Sequence, residues 1–452
     1  MWIADNARGA PAYKGPLAVS KTPLNTPPMT DTGLPARKAA LAILSGVLQK
    51  RRPLDAGLDQ LVGLPVRDAG FARALVSEAL RNMGALDAVL RKFVAKPLAP
   101  HKAGAASEIL LLGACELLIL KVAPHAAVDA ANELAAKDSK AMHFKPLINA
   151  VLRKVAKEGE AVLSGLDRER LSTPDWLWTR WTTQYDSGTA RAIARAHQHA
   201  APVDIVLKSP DAAFPPSEAL FGAVRRLTDP GRIEDLNGFA QGDWWVQDAA
   251  ATLPALLLGD VAGKTVIDLC AAPGGKTMQL AARGAHVIAV EIDTARALRI
   301  RENLDRTKLS AEIVQSDARD FSGKAPLVLI DAPCTATGTI RRHPDLPWIK
   351  GAADVTVSAA AAYEILEAGA DLVEPGGVLV FAVCSLEREE GEEQIAAFLS
   401  THPEFARVPV TAEEVFGHTE WITPDGDLRT LPCHLSDRDG MDGFYAARLK
   451  RQ

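Results

Sequence analysis

The first third of the chain repeats apolar residues at intervals of three and four positions. From Ala36 onward six such segments follow one another, separated by proline or glycine. This spacing predicts an all-α bundle over residues 36–160. The segment around Cys115, "AASEILLLGACELLILKV", is apolar on most sides. We therefore expect it to be the central helix, with Cys115 packed in the core.

Residues 161–250 mix helical and strand patterns. A Ser-Thr-Pro-Asp start signal precedes a tryptophan-rich helix, and "PVDIVLKS" and "AVRRLTD" have the composition of short strands. In "GDWWVQDAAATLPALLLG" an aromatic strand leads into a helix. We expect a small α+β linker subdomain that could contribute to RNA recognition. Its tryptophans are expected to pack under a small sheet, with stacking on bases as the alternative.

Apolar runs alternate with amphipathic helices in the last part of the chain, residues 251–452. The runs are "TVIDL", "HVIAVEI", "EIVQS", "PLVLID", "GVLVFAV" and "GFYAARL". Such alternation predicts an α/β fold with a mostly parallel sheet covered by helices on both faces. Ligands of these sheets bind outside the carboxyl ends of the strands, so the chemistry is expected there.

Charge and composition add a possible partner and a location. The net charge is −5, yet residues 36–160 carry 19 Lys and Arg against 12 Asp and Glu, and residues 161–452 carry 29 against 42. The basic excess suggests an electrostatic partner for the front domain, although a solvated charged face on a bundle explains it nearly as well. Neither a secretory leader nor a run of 18 apolar residues is present. We therefore predict a cytoplasmic protein without a membrane span.

The first 35 residues are rich in Pro, Gly and Thr, which predicts a disordered N-terminal arm over residues 1–35. Met29 lies close to the first regular element, so translation starting at either Met1 or Met29 stays open. Five cysteines without C-x-x-C spacing argue against a disulfide framework or zinc cluster. His418, Cys433 and His434 share no ligand spacing, so we expect no metal site.

The segment "VIDLCAAPGGKT" is a strand followed by a glycine turn that opens a helix. Such a turn lets a ligand approach the backbone and the free N–H groups of the helix. A P-loop would need glycine where Cys270 stands, and G-x-G-x-x-G is absent. Glu291 and Asp317 end the next two strands, where carboxylates suit a ribose and an adenine edge. Either acid alone would more often be a helix cap. Together they favour S-adenosyl-L-methionine (SAM), an adenosyl ligand without pyrophosphate.

Two cysteines follow apolar runs, Cys334 in "VLIDAPCTATGTI" and Cys384 in "VLVFAVCSLEREEGEE". The acidic residues after Cys384 predict a helix start, so we expect this thiol near the positive end of a helix dipole, which favours a nucleophile. A thiolate can add to carbon 6 of cytosine and thereby activate carbon 5 for methylation. A base must then remove the carbon 5 proton before the enzyme is released.

Four motifs resemble, in this order, those of the Nop/Sun family of RNA cytosine-5 methyltransferases: "DLCAAPGGKT", "DAPCTATGTIRRHPDLPW", "VCSLEREEGEEQI" and "DGMDGFYAARL". The front domain, with "INAVLRK", resembles the NusB-like domain of the bacterial Sun/RsmB-type branch. The resemblance covers nearly everything after residue 35. It implies a Rossmann-like class I SAM-dependent methyltransferase domain with a seven-stranded sheet. It also implies a monomer that acts on 16S ribosomal RNA rather than DNA.

The resemblance also implies roles for single residues. Cys384 is the expected nucleophile, Cys334 assists proton removal and release, and Asp331 contacts both the target cytosine and the methionine end of the cofactor. Pro333 shapes the turn that presents Cys334. The expected cofactor contacts are Cys270, Ala271, Ala272, Pro273, Gly274, Gly275, Lys276, Glu291, Asp317 and Asp331.

Some positions depart from the family pattern. Val383 stands where threonine is common, Thr335 and Ala336 replace Ser-Gly, and Arg388 replaces a frequent proline. Val383 puts a thiol-tuning hydrogen bond from that position in doubt. The run Arg341, Arg342 and His343 could meet phosphates near a flipped base, or it could be a solvated loop.

Two other functions stay open at this point. One is an RNA-binding or antitermination-like module, against which the intact motifs argue. The other is DNA cytosine methylation, in which the Pro-Cys thiol, Cys334, would attack. The second cysteine at Cys384 argues against that assignment.

Overall fold

The computed structural model describes residues 33–94, 96 and 98–452. Most of the predicted disordered arm, including Met29, lies outside the described residues. Sixteen α-helices and twelve strands are assigned within those ranges. No helix in the same ranges combines the length and the apolar character needed to cross a membrane.

The front of the chain is a helix bundle, as predicted, with α5 at its centre. Twelve of the thirteen residues of α5 are buried, Cys115 among them. Gly113 lets α7 approach, because a Cβ there would lie 2.6 Å from the Leu152 side chain. A buried ion pair joins α1 to α5, with Arg37 Nε 3.0 Å from a carboxylate oxygen of Glu116. The helices are α1 (Leu34–Lys50), α2 (Val66–Arg81), α3 (Met83–Arg91), α4 (Pro100–Ala103), α5 (Ala106–Leu118), α6 (Pro124–Lys137) and α7 (Lys145–Ser164).

Three helices and a small antiparallel sheet follow. The sheet has the order β2-β3-β1-β4. Trp181, Trp244 and Trp245 are at most 2% exposed, so these rings pack inside the fold as predicted. The sequence did not predict β2, in which only Phe221 is buried and the pattern lacks a clear alternation. The elements are α8 (Arg168–Leu171), α9 (Asp175–Gln184), α10 (Ser187–His197), β1 (Asp204–Leu207), β2 (Ser217–Phe221), β3 (Val224–Leu227) and β4 (Trp244–Val246).

The last part of the chain forms the large sheet, in the order β10-β12-β9-β8-β5-β6-β7. Strands β5 to β9 pair in parallel, and β12 runs antiparallel beside β9. This path has the seven strands expected, and the short β11 adds an eighth by pairing with β12. The strands are β5 (Thr265–Leu269), β6 (His286–Val290), β7 (Glu312–Val314), β8 (Ala325–Asp331), β9 (Val373–Val383), β10 (Phe405–Arg407), β11 (Leu428–Thr430) and β12 (Phe444–Arg451).

Helices on both faces of the sheet bury strands whose residues are nearly all apolar. Val328 and Ile330 of β8 are fully buried, as are Leu379 and Phe381 of β9. This explains why the runs are continuous rather than alternating. The helices are α11 (Ala249–Leu256), α12 (Gly275–Ala282), α13 (Thr294–Thr307), α14 (Leu346–Ile349), α15 (Ala352–Asp371) and α16 (Glu392–Thr401).

Candidate active site

The glycine turn connects the end of β5 to the start of α12. Gly274 is the N-cap of α12 with φ 99°, a left-handed conformation that favours glycine. A Cβ at Gly274 would also lie 3.3 Å from Ile300 of α13. Both the backbone conformation and the packing against α13 therefore favour glycine at this position. The predicted contact residues of the turn are Cys270, Ala271, Ala272, Pro273 and Gly274, with Gly275 and Lys276 opening α12.

Helix α13 holds the turn from one side. Arg296 donates to the carbonyl of Ala272 at 3.0 Å, and the Asn303 amide donates to the carbonyl of Pro273 at 2.9 Å. These bonds use carbonyl oxygens that would otherwise point to solvent. The turn is thus fixed before any ligand binds.

The structure brings Glu291 to the glycine turn, as the strand-end argument predicted. Its carboxylate is 1% exposed and accepts from the backbone N–H groups of Ala272, at 3.3 Å, and Asp293, at 3.0 Å. Asp317, after β7, is engaged instead by Arg319, whose backbone N–H and Nε donate at 2.9 and 3.0 Å. Those hydrogen bonds lower the pKa of Asp317.

Asp331 ends β8 and pairs with Lys276 across the mouth of the sheet. The Nζ–Oδ2 distance is 2.7 Å, the lysine side chain is 8% exposed and the aspartate side chain is 29% exposed. Lys276 also lies over the Phe444 ring, 5.1 Å from its centroid. In this pair the carboxylate is partly exposed at the mouth of the sheet, and the lysine that holds it is buried.

Asp268 is a buried carboxylate beside this pair that the sequence reasoning missed. It accepts from Thr277 Oγ1 at 2.6 Å. Burial raises the pKa of Asp268 to about 7. Its other oxygen, Oδ1, has no hydrogen-bond partner among the described residues. A donor group could satisfy that oxygen.

The two predicted thiols meet at the ends of neighbouring parallel strands. Cys334 follows β8, Cys384 follows β9, and their Sγ atoms are 3.5 Å apart. The hydrogen bond to Cys384 and burial raise the pKa of Cys334 well above its ordinary value. Cys334 is therefore a thiol rather than a thiolate at neutral pH.

A helix with an acidic first turn does follow Cys384, as predicted, but it begins farther from the thiol than expected. A 3-10 turn at Arg388–Glu390 follows the strand, and α16 begins only at Glu392. Glu387 and Glu390 are fully buried and make side-chain contacts before the helix. The argument from a helix dipole directly beside the thiol therefore fails.

The loops that carry the thiols are residues 332–343 and 384–391, which we call the thiol loops. Thr335 N donates to Glu390 Oε1 at 2.8 Å, and the Thr335 hydroxyl donates to Oε2 at 2.6 Å. The Ser385 hydroxyl donates to the same Oε2. Sequence reasoning missed these residues, although Thr335 lay at a departure from the family pattern.

Two other departures have local explanations. Ala336 adopts φ 58°, the left-handed conformation for which glycine is the usual choice. Val383 is fully buried and belongs to the apolar core of the sheet. A hydroxyl at that position would lie in an apolar environment.

Both expectations for Arg341, Arg342 and His343, contact with phosphates and a solvated loop, are wrong. Arg341 is 2% exposed, and the side chains of Arg342 and His343 are 10% and 5% exposed. All three are therefore buried. Arg342 Nε lies 2.9 Å from a carboxylate oxygen of Asp442, and burial lowers the pKa of His343 to about 3. The front bundle covers this segment, since Arg81 donates to the carbonyl of Arg341 at 2.9 Å.

The histidines of the last segment pack around a tryptophan. The His418 ring stacks on Trp421 with centroids 4.1 Å apart, and the His434 centroid is 6.4 Å from Trp421. Burial lowers the pKa of His434 to about 4. These contacts give both rings a structural role.

Known proteins match this chain in both of its larger parts. Residues 34–157 match the NusB family, and residues 255–450 match the family described as 16S rRNA methyltransferase RsmB/F. Ribosomal RNA small subunit methyltransferase B of Sodalis glossinidius is 36% identical over 439 residues, which cover 92% of this chain and 98% of that protein. Its namesake from Pseudomonas putida is 34% identical over 441 residues, covering 92% and 97%. The chain belongs to the ribosomal RNA small subunit methyltransferase B family.

This membership confirms the resemblance inferred from the four motifs and the NusB-like front domain. Among solved structures, PH0851 is similar over 94% of this chain and 100% of its own, with a TM-score of 0.73 and 22% identity. A methyltransferase homolog from Pyrococcus horikoshii covers 61% of this chain and 94% of its own, with a TM-score of 0.50 and 23% identity. At these identities the structures show the class I methyltransferase fold. The RsmB/F family is one of methyltransferases, for which SAM is the cofactor.

Proposed function

We propose that this methyltransferase transfers the methyl group of SAM to carbon 5 of a cytosine in 16S ribosomal RNA through a covalent cysteine–cytosine link. The observation that carries this proposal is the pair of thiols, with Sγ atoms 3.5 Å apart, at the ends of β8 and β9. One thiol is enough to attack a ring. A second thiol within reach of the first supplies the base that release requires.

Cys384 is the nucleophile in this proposal. Its thiolate adds to carbon 6 of the cytosine, and the electron pair of the 5,6 double bond makes carbon 5 nucleophilic. Bound SAM supplies the methyl group at that carbon. Loss of the carbon 5 proton then lets the carbon–sulfur bond break, which restores the aromatic ring and returns Cys384 as a thiolate.

Cys334 takes the carbon 5 proton in this scheme. Its pKa is raised by the hydrogen bond to Cys384, by burial and by the charge that Cys384 carries as a thiolate. Formation of the carbon–sulfur bond turns the Cys384 thiolate into a neutral thioether and so removes that charge. Cys334 can then lose its own proton to solvent and act as a base at the step where a base is needed.

Asp331 is the residue that we assign to the target base. Its carboxylate is partly exposed at the strand end, and Lys276 fixes it at 2.7 Å. A carboxylate accepts well from the exocyclic amine of cytosine. Lys276 thus acts as a positioning residue, since its ammonium group is buried and lies over the Phe444 ring.

The residues at the ends of β5, β6 and β7 fit SAM. Gly274 and Gly275 form the glycine turn at the N-terminus of α12, where backbone N–H groups can meet a ligand, and Glu291 and Asp317 provide carboxylates for the adenosine part. The orphaned Oδ1 atom of Asp268 is a ready acceptor for a ligand ammonium group. These features support four of the ten cofactor contacts expected from the sequence, namely Gly274, Gly275, Glu291 and Asp317.

RNA is the substrate that we favour over DNA. The relatives named above are ribosomal RNA small subunit methyltransferases, and the front domain, residues 36–160, carries 19 Lys and Arg against 12 Asp and Glu. A basic excess of this kind attracts a phosphate backbone. The presence of Cys384 beside Cys334 also argues against the DNA enzymes, in which the Pro-Cys thiol attacks.

Bisulfite sequencing of 16S ribosomal RNA tests the proposal. We expect RNA from a deletion strain to lack a 5-methylcytosine that the wild-type strain contains, and the purified protein with SAM to restore it. Equal bisulfite patterns in the two strains, and no methylation of the deletion-strain RNA by the protein, would contradict it. Methylation of duplex DNA under the same conditions would support the alternative substrate.

A further inference from the structure

Glu390 connects the two thiol loops through a single carboxylate. Its Oε1 accepts from Thr335 N at 2.8 Å, and its Oε2 accepts from the hydroxyl groups of Thr335 and Ser385. Thr335 directly follows Cys334, and Ser385 directly follows Cys384. One side chain therefore bonds to the residue after each thiol.

All three members of this bridge are fully buried. A buried carboxylate is costly unless hydrogen bonds satisfy it. Here three donors converge on Glu390, and charge-assisted bonds of this kind are stronger than neutral ones. The two hydroxyl groups, Thr335 Oγ1 and Ser385 Oγ, lie 3.4 Å from each other, so the bridge is compact.

The bridge is anchored outside the thiol loops as well. Glu390 lies in the 3-10 turn, whose Glu387 side chain accepts from the indole of Trp181 at 3.1 Å and lies 3.6 Å from Arg180. Arg180 also pairs with Glu389. Helix α9 of the linker subdomain thus fixes the turn that presents Glu390.

The pairing of β8 with β9, which continues up to Asp331 and Ala382, also contributes to the separation of the thiols. Cys334 and Cys384 end different strands, and the Sγ–Sγ contact of 3.5 Å is weaker than the bonds made by Glu390. Gly338 N donates to the carbonyl of Cys384 at 3.0 Å, and Leu386 N donates to Thr337 Oγ1 at 2.9 Å, so further bonds connect the loops. Among the side chains described, Glu390 bonds to both loops at the positions next to the sulfur atoms.

We propose that Glu390 is a positioning residue that holds Cys334 within reach of the adduct on Cys384, and thereby sets the rate of release. This inference rests on the proposed covalent mechanism. Nucleophilic attack needs only Cys384, whereas release needs both thiol loops in the correct position relative to each other. Loss of the bridge should therefore slow release more than it weakens substrate binding.

The test compares Glu390→Ala with Glu390→Gln and with wild type, using 16S ribosomal RNA and SAM. We expect Glu390→Ala to lower kcat on the order of 10²-fold, because a displacement of about 1 Å has that effect. KM for RNA and for SAM should change less than about threefold, as for a group that acts after binding. The fraction of enzyme in a covalent RNA adduct, measured on denaturing gels, should rise.

Glu390→Gln is the conservative variant. Its amide oxygen can still accept from Thr335 N, and the hydroxyl groups of Thr335 and Ser385 can rotate to accept from its NH₂ group. We expect it to recover kcat to within about tenfold of wild type, since the geometry persists. Glu393→Gln is the matched control, because Glu393 is an exposed carboxylate on the first turn of α16, outside the thiol loops, and it should keep wild-type kcat.

Three results would overturn the inference: wild-type kcat in Glu390→Ala, a raised KM with unchanged kcat, or Glu390→Gln as slow as Glu390→Ala. If Glu390→Ala does not fold, as judged by thermal unfolding, Ser385→Ala removes one bond of the bridge and should show a smaller loss in the same direction. Wild-type protein that methylates no cytosine would refute the proposed function instead. Active wild type with unaffected Glu390 variants would refute this inference alone.

Discussion

The site has a cofactor half, at the ends of β5, β6 and β7, and a thiol half, formed by the thiol loops. The contacts of the two halves span different distances along the chain. The turn after β5 is bonded to Glu291, 19 positions away, and to Asn303, 30 positions from its partner. The thiol loops are bonded across 206 positions by Trp181 of the linker and across 260 positions by Arg81 of the front bundle. The cofactor half is therefore built from neighbouring strand–helix units. The thiol half depends on the linker and on the front bundle.

This difference gives the front bundle a second role beside any contact with RNA. Ile340, Leu346 and Ile349, which follow Cys334, belong to the same apolar cluster as the core of the bundle. The indole of Trp348 donates to the carbonyl of Leu80 at 3.0 Å. The segment after the first thiol is thus held by a domain far from it in sequence. Substitutions that disturb that packing should affect the positions of the thiols more than they affect cofactor binding.

The largest effect is expected on the thiol side. Cys384→Ala should reduce methyl transfer on the order of 10⁴-fold or more, as loss of a nucleophile does. Transfer of labelled methyl groups to 16S ribosomal RNA measures this. Cys433→Ala removes a thiol outside the thiol loops and should keep wild-type activity. Comparable activity in Cys384→Ala and wild type would contradict the assigned role.

A smaller effect is expected on the cofactor side. Glu291→Ala should raise the Kd for SAM about 10- to 100-fold, because hydrogen bonds to a charged group contribute roughly 1.5–3 kcal/mol. Titration calorimetry without RNA measures this. Glu302→Ala changes an exposed carboxylate on α13 and should bind SAM like wild type. Cys384→Ala should also bind SAM normally if the two halves are independent, and weakened binding there would break the comparison.

Gly338 tests the long-range packing of the thiol loops. A Cβ at this position would lie 2.0 Å from the carbonyl oxygen of Gly443, so Gly338→Ala must displace backbone. We expect a loss of about 1–3 kcal/mol in the free energy of unfolding, as overpacking costs. Urea unfolding measures this. Gly70→Ala in α2 meets no atom within 4 Å and should stabilise the protein. Equal stability of Gly338→Ala and wild type would show that the loops can separate freely.

The pH dependence of stability tests the raised pKa of Asp268 in the cofactor half. Its folded pKa of about 7 lies above the ordinary 3.8, so the folded state binds this proton more tightly than the unfolded state. Binding of this proton stabilises the folded state fully below about pH 4. The free energy of unfolding that it contributes is lost as the pH rises through about 7, at roughly 1 kcal/mol per pH unit. Asp268→Asn should remove this dependence while keeping an acceptor for Thr277. Parallel pH profiles of wild-type and variant stability would rule out the raised pKa.

Much of the fold and of the cofactor half could be predicted from the sequence. Strand-end positions of Glu291, Asp331 and both thiols follow from parallel strands that end at one edge. Lys276 follows from its place on the first turn of α12. These predictions succeeded because each unit folds from residues close in sequence, with apolar runs and glycines that mark its limits.

The rest needed contacts that no local pattern contains. Arg341 and Arg342 lie in a polar stretch typical of a solvated loop, yet the front bundle and Asp442 bury them. Glu390 lies in an acidic run typical of a helix start, yet its partners are Thr335 and Ser385. Charged residues are predicted as exposed because burial depends on a partner from elsewhere in the chain. That partner becomes visible only in three dimensions.

The central claim is that Cys384 forms the covalent link and Cys334 releases it. The most direct measurement is the recovery of protein–RNA adducts from Cys334→Ala and from Cys384→Ala incubated with 16S ribosomal RNA and SAM, followed by peptide mass spectrometry. We predict that Cys334→Ala accumulates an adduct whose modified residue is Cys384, and that Cys384→Ala forms none. An adduct on Cys334 in the Cys384→Ala protein, with none in Cys334→Ala, would contradict the account.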